Sequence, residues 1–470
     1  MAPRSGWPRS KRALAALLLV ATACPSHRAE PHPTPPPTAS KPSRGGTVTV
    51  AYPSEPATLD PFAAAGDEPA ARDIVRAVMP ALWRFGPQGA RERWLLASDP
   101  VIAGRTMTVE LRPDAVWSDG KAITVADLTA TWRRARALFP DYARIASIEA
   151  LTSKRARIRF TAMPAHPDDL FSAGLGVIPA HVRAYANWSV GGGAFVVGAW
   201  HRGLDVVLVR NPRAWGTVPP LDSIRFVFVP DPDGARALLA QGKIDVLGPY
   251  VTPEWLRLLG STPVSTDEGP TWIGLVLNDT RGALRDPVVR RALVQSIDRA
   301  RIVAGEIQEQ GHPTTSTDPS TTSAPSPPDV AGARRSLDAD GWSGSKPRKK
   351  HGVELSFTLA TISTEPLAQL LARAVQFQAA RAGFDVQPLA LDNDNLWRKW
   401  IPGARFDAAL VVWRSPPGGA PRVHSALVVP FATLRVSLAV RSDVICGARA
   451  NASADGPFWN AESWSRAPCA

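Results

Sequence analysis

The chain has 470 residues, 44% hydrophobic and 20% charged, with 54 Lys and Arg against 42 Asp and Glu. That length supports two or three domains of ~150 residues and a substantial core. The 16 Trp and 14 Phe exclude overall disorder, no apolar run reaches the ~18 residues of a membrane span, and three Cys exclude a disulfide scaffold.

A net charge of +12 raises nucleic acid as a partner. The distribution argues against it. Residues 1–23 hold Arg4, Arg9, Lys11 and Arg12 and no acid, and only 9 of the 54 basic residues are Lys. The densest basic cluster, Lys346, Arg348, Lys349, Lys350 and His351, sits among Gly, Ser and Pro and reads as a solvated loop.

In chain order, residues 1–23 form a signal peptide: a basic start, then the apolar run 13–23. Eleven residues reach only ~16 Å as a helix, too short for a bilayer. Ala21-Thr22-Ala23-Cys24 fits a bacterial lipobox with Cys24 as lipid acceptor, and also an ordinary A-x-A cleavage site. Either way the protein is exported. Residues 24–44 are Pro-rich and read as an anchor and extended tether. Cys446 and Cys469 remain; exported thiols tend to pair, so a disulfide between them and two free thiols both stay open.

From Gly45 strands and helices alternate. Thr47–Tyr52 reads as a strand and 69–79 as a helix, with Ile74, Val75 and Val78 inward. Thr124 and Asp127 make a capping box before Leu128 and Trp132. Residues 195–200 and 206–210 form a hairpin over Gly203, followed by strands at 224–229 and 244–247 around a helix at 233–240. A second block opens with strand 272–277. Asp286-Pro287 then starts a helix over 286–304. Residues 311–328, mostly Pro, Ser and Thr, read as an exposed loop. Strand 353–359 precedes helix 364–382, whose inward residues are Leu367, Leu370, Leu371, Ala374 and Phe377, ended by Gly383. Strands at 384–386 and 406–412 follow. Mixed elements in two blocks imply an α/β protein with two lobes.

The eight His show no metal-ligand spacing, and no nucleophile elbow, P-loop or dinucleotide fingerprint occurs. Gly191-Gly192-Gly193 precedes a strand rather than a helix, so it lacks the dipole that binds phosphate. No metal, cofactor or catalytic residue is expected.

Several segments together resemble one family. These are Gly45–Val50 with Thr58–Pro61, Trp117–Lys121 with Ala126–Leu128, Gly191–Phe195, and Arg210-Asn211-Pro212. Further along come Gly242–Val246, Asp286–Leu293 with Ile297–Arg299, and Trp459–Trp464. The chain is similar in these to the extracytoplasmic solute-binding proteins of ABC importers, in the oligopeptide/dipeptide-binding group (family 5). The resemblance implies a two-lobe periplasmic-binding-protein-like fold (type II, enlarged cluster C type) with an interlobe cleft. Lobe one would be 45–270, lobe two 271–430, and 431–470 a tail returning to lobe one. It also implies a monomeric, lipid-anchored receptor outside the cell membrane or in the periplasm. Such a receptor captures a peptide-like or small polar solute and hands it to a membrane permease.

The same resemblance places Glu55, Thr58 and Leu59 on one wall of the cleft, and Trp272, Asn278, Trp397, Trp413 and Arg414 on the other. Relatives that bind free peptides carry an acidic residue after the Trp corresponding to Trp413; here Arg414-Ser415-Pro416 follows. A peptide amine would lack its partner, so free peptides are disfavoured and Arg414 favours an acidic group. Lobe two is also shortened between Trp413 and Pro430. That departure keeps a non-transporting sensor or scaffold on the same fold as an alternative. An exported hydrolase assembled from distant His, Asp and Ser is a weaker one.

Overall fold

The structure, a computed structural model, describes residues 44–467 except 54, 64–68, 165, 173–174, 184, 186–187, 251–256, 258, 261, 317–323, 364–365, 393–394, 401–404 and 415–425. The expected signal peptide, Cys24 with its tether, and Cys469 lie outside the described residues, as do the side chains of Trp397 and Trp413.

Strand β1 (Thr47–Tyr52) forms as its alternation predicts. Val48 and Val50 enter one apolar cluster and Ala51, on the opposite face, another. Helix α1 covers Pro69–Arg76, with Ile74 and Val75 buried and Val78 buried just beyond its end. Helix α2 (Val125–Ala135) carries the predicted capping box: Ala126 N donates to Thr124 Oγ1, and Thr124 N to Asp127 Oδ2 at 2.6 Å.

The segments carrying the resemblance serve packing. Gly192 lies so close to the Trp117 ring that a Cβ would meet it at 2.9 Å. Buried Asn211 donates to Gly193 O at 2.8 Å, tying the two glycine-flanked turns together. The hairpin forms as strands β2 (Phe195–His201) and β3 (Asp205–Arg210). Then come β4 (Ser223–Phe228), α3 (Pro232–Ala240) and β5 (Val246–Tyr250).

The next strand, β6 (Val264–Asn278), is far longer than the predicted 272–277. Helix α4 spans Pro287–Ser296, with Asp286 capping Val288 N at 2.8 Å. It ends sooner than expected. Ile297 is extended and the Asp298 side chain caps a new short turn at Arg301 N, so the 286–304 segment is broken in two. After these come β7 (Gly311–Pro313), α5 (Val330–Ala339), β8 (Ser356–Ile362), α6 (Pro366–Ala380), β9 (Asp385–Leu391), β10 (Ala408–Arg414) and β11 (Ala426–Val440).

One eleven-stranded sheet runs β9-β8-β10-β6-β11-β5-β1-β4-β3-β2, with β7 also pairing β11. A separate four-stranded sheet holds 101–103, 106–110, 155–160 and 145–150. The largest core gathers residues of 48–226 together with tail residues Leu438, Val440, Phe458 and Trp464. A second core gathers Ile273 to Leu434. Among the described residues, the strands that run between them are the antiparallel partners β6 and β11, fifteen residues each.

Their ladder is interrupted at the crossing. Glu268 opposes Arg435 and Trp272 opposes Thr433, so β6 carries two extra residues there; then Ile273–Gly274 opposes Ala432 and Pro430, so β11 carries one. Bulges of this kind bend strands and loosen their pairing. Gly274 is required, since a Cβ would sit 2.5 Å from Val429 O. Pro430 has no N–H to give to the ladder.

Three expectations are corrected. On α6, Leu370 and Phe377 are exposed, Phe377 at 76%; the buried stripe is Leu367, Ala368, Leu371, Ala372, Val375 and Ala379. The basic cluster is not simply solvated. Arg348 is buried, bonded to Trp342 O and paired with Asp338, and Lys350 bridges Asp286 and Asp340. The Pro/Ser/Thr segment begins inside the sheet, as β7 with Thr314 buried after it.

Candidate interlobe site

Helix α1 is apolar on its core face, yet two charged residues three positions apart are buried with it: Asp73 and Arg76. Such burial requires partners. Asp73 accepts the Tyr52 hydroxyl at 2.7 Å and Arg414 Nη1 at 2.9 Å. Tyr52 ends β1, and Arg414 ends β10 beside the second core, paired in register with Thr271. The side chains of Asp73 and Arg414 are 1% and 8% exposed. The ion pair therefore joins elements of the two cores out of water.

Arg76 donates to Asp455 Oδ1 at 3.2 Å and to Met79 O at 2.9 Å. Asp455 Oδ2 also accepts Phe85 N at 2.7 Å. Burial lowers the Arg76 pKa and raises that of Asp455, each opposed by the other's charge. The guanidinium carbons of Arg76 and Arg84 lie 5.1 and 4.6 Å from the Trp94 ring centre.

The tail seals this region. Asn451 Nδ2 and Ser453 Oγ both donate to Phe85 O, Ala452 N donates to Asp267, and Thr271 Oγ1 to Ala452 O at 2.5 Å. Gly456, at φ +62°, faces the ion pair: a Cβ there would meet Asp73 Oδ1 at 2.3 Å and Arg414 Nη1 at 3.0 Å. Only glycine fits.

The expected ligand residues fall into two groups. Trp272, Trp413 and Arg414 come together: Trp272 pairs in register with Trp413, and Arg414 follows it. Trp272 is buried, and its ring N–H has no hydrogen-bond partner among the described residues. The others have local tasks. Glu55 accepts Trp200 Nε1 and Gly203 N, binding the β2–β3 hairpin. Thr58 Oγ1 accepts Asp60 N. Leu59 is in the first core, its carbonyl accepting Trp188 Nε1. Asn278 is buried at the far end of β6, donating to Phe406 O and accepting from Thr280. Trp397 lies in the helical turn Asn395–Trp400.

Sequence reasoning missed Asp73, Arg76, Asp455 and Gly456. One signal for the first two was present: charges at i and i+3 inside an otherwise apolar helix face. Cys446 is disulfide-bonded. A cavity of ≈ 560 Å³ beside it is lined by Val264, Ser265, Val440 and Arg449 among others, and includes none of the eight expected ligand residues. Among the described residues no group of His, Cys, Asp and Glu has the arrangement to hold a metal, and no helix is long and apolar enough to cross a membrane.

The chain was compared with known proteins. Residues 91–428 match the model for bacterial extracellular solute-binding proteins, family 5 Middle. The chain is 25% identical over 418 residues to the oligopeptide-binding protein OppA of Mycobacterium tuberculosis, covering 78% of this chain and 68% of that protein. Its fold is similar to AppA from Bacillus subtilis, an oligopeptide-binding protein solved with a nonapeptide (TM-score 0.74, 17% identity, 91% and 100% covered). It is equally similar to AgaA, solved with agropinic acid (TM-score 0.73, 18% identity, 90% and 99% covered).

Proposed function

The chain belongs to the bacterial extracellular solute-binding proteins of family 5, and we propose from that membership that it captures a peptide-like or small polar solute and delivers it to an ABC permease. The observation that carries this reading is the double crossing. Two separately packed cores share one sheet through β6 and β11, and both strands are bulged where they pass between cores. Such a connection lets two bodies hinge, and clefts between hinged bodies are favoured ligand sites.

In this reading lobe one is 45–270 with 431–470, and lobe two is 271–430. The second core takes in Phe431, Ala432 and Leu434, which favours moving that returning boundary from 430 to near Arg435. Trp272, Trp413 and Arg414 line the cleft from lobe two. The protein acts as a monomeric binding protein, not an enzyme, on the outer side of the membrane, held by lipid on Cys24. The Cys446 disulfide has Cys469 as its partner, pinning the tail.

A second reading, a sensor that passes nothing to a permease, is favoured by one observation. Between β10 and β11 only residues 415–425 intervene, so lobe two has a short connection there. Native mass spectrometry of the purified protein tests the first reading: a bound small molecule is expected, and permease-dependent uptake of it separates transporter from sensor. No bound species, with no thermal shift across peptides, sugars and organic acids, would overturn solute binding.

A further inference from the structure

Away from the crossing, the tail builds a second concave surface. The cavity of ≈ 560 Å³ beside Cys446 lies where β6 starts and β11 ends, lined there by Val264, Ser265 and Val440. Trp272 is eight residues further along β6, roughly 25 Å away at the rise of an extended strand. Val440 and Ile445 of the lining belong to the first core. The cavity is therefore not part of a cleft between the cores.

Its walls are fixed by the fold. Ile445 and Cys446 pair antiparallel with Arg466 and Ser465, and Cys446 is disulfide-bonded. Gly447, at φ +86°, lets the tail pass so close that a Cβ would meet Ser463 O at 2.9 Å. Ala450 N donates to Ser265 Oγ at 3.0 Å, tying the tail down on β6. Backbone pairing and a covalent bond leave the cavity pre-formed, and its volume falls within the roughly 300–1,000 Å³ of small-molecule sites.

The chemistry of the lining is one-sided. Arg449 is the charged residue in it, and among the described residues its guanidinium has no ion-pair or hydrogen-bond partner. The acids nearest in sequence are already taken, Asp443 by Arg441 and Glu462 by Arg84. Arg449 and Ser442 are exposed, and so stand at the mouth. Ser465 also lines the cavity but is only 4% exposed, and its hydroxyl has no hydrogen-bond partner among the described residues. A buried hydroxyl in that state gains from any polar group brought to it.

We propose that this cavity is a ligand site in its own right, taking a small organic acid that carries a further hydroxyl or carbonyl group. The carboxylate meets Arg449 and the Ser442 hydroxyl, the apolar body lies against Val264, Val440 and Ile445, and the further polar group bonds Ser465. A guanidinium with hydroxyl donors beside it favours a carboxylate. No acid in the lining repels one, and a cation finds no counter-charge there. None of the residues expected to bind a solute between the cores contributes to the cavity, so the proposal stands apart from that reading.

Methyl NMR of the full chain tests it, read at Val264, Val440 and Ile445 in the cavity and at Ile273 and Val412 near the crossing. The probes are 4-hydroxybenzoate, benzoate, 4-hydroxybenzamide and inorganic phosphate. 4-Hydroxybenzoate is expected to shift the three cavity residues saturably and to leave Ile273 and Val412 in place. Benzoate should bind more weakly, and the amide and phosphate weaker still, by on the order of tenfold. Arg449→Gln, at an exposed position, should cost 4-hydroxybenzoate about tenfold and leave the amide unchanged. Ser465→Ala should remove the preference for 4-hydroxybenzoate over benzoate. No saturable shift with any probe, an amide or phosphate that binds as tightly as 4-hydroxybenzoate, or shifts confined to Ile273 and Val412 would overturn the site. Each of these outcomes leaves capture between the cores as it stands.

Discussion

Two ion pairs tie the crossing together, and their surroundings give them opposite weight. Asp73–Arg414 is buried, and Gly456 and Tyr52 close around it. Glu268–Arg435 spans β6 and β11 one step before the first bulge, with side chains 53% and 30% exposed. Water screens the second pair, so little depends on it. Around the first, water is excluded, and each charge depends on its partner. The same chemistry thus ties elements of the two cores firmly at one place and is a mild strut at the other.

The sharpest way to break this contrast is to remove one buried charge. Asp73→Asn or Arg414→Met should cost about 3–5 kcal/mol in urea denaturation, with the double variant recovering much of the loss. Losses that simply add would show that the two residues are not coupled. Gly456→Ala leaves both charges in place but drives a Cβ against them and strains a positive φ. About 1–3 kcal/mol is expected from thermal unfolding. A neutral result there would mean that the tail is not held against the pair.

Glu268→Gln is the control, and should cost at most ~1 kcal/mol, less in high salt. Its pH dependence sharpens the point. Arg435, by hydrogen bonding, holds the Glu268 carboxyl below its ordinary value of 4.5. With the folded value depressed, the contribution is complete above the unfolded pKa and is lost as pH falls through the folded one. The difference between parent and Glu268→Gln stability should therefore shrink to nothing on acidification below about pH 4.5. A difference that persists into acid would contradict this origin.

What was legible in the sequence was local. Thr124 with Asp127 and Asp286 with Pro287 announce helix starts because the partners lie within four residues. The strand alternation of 47–52 and the hairpin over Gly203 were legible for the same reason. Motif order along the chain indicated the family. The helix face of 366–380 was misread because apolar residues lie on two sides of it, and only packing chooses which side is buried; Leu370 and Phe377 lost. Arg348 looked solvated because its partner Asp338 sits on a helix before the loop.

The pairing of Asp73 with Arg414 was not legible. Asp73 and Arg414 are 341 positions apart, and nothing within a window around either residue specifies the other. Arg414 was expected to favour an acidic group on a solute; in the structure it pairs with Asp73 of the same chain. The crossing was half legible: the lobe boundaries expected at 271 and 430 fall within β6 and β11, but the register shifts there depend on both strands together.

Hydrogen exchange, with and without the solute identified by native mass spectrometry, tests the central claim most directly. Binding between the cores should slow exchange together at 52–59, 73–76, 272–274 and 412–414. Those stretches come from both cores and from the crossing strand. Protection confined to one core, or equal exchange in the two samples, would contradict capture between them.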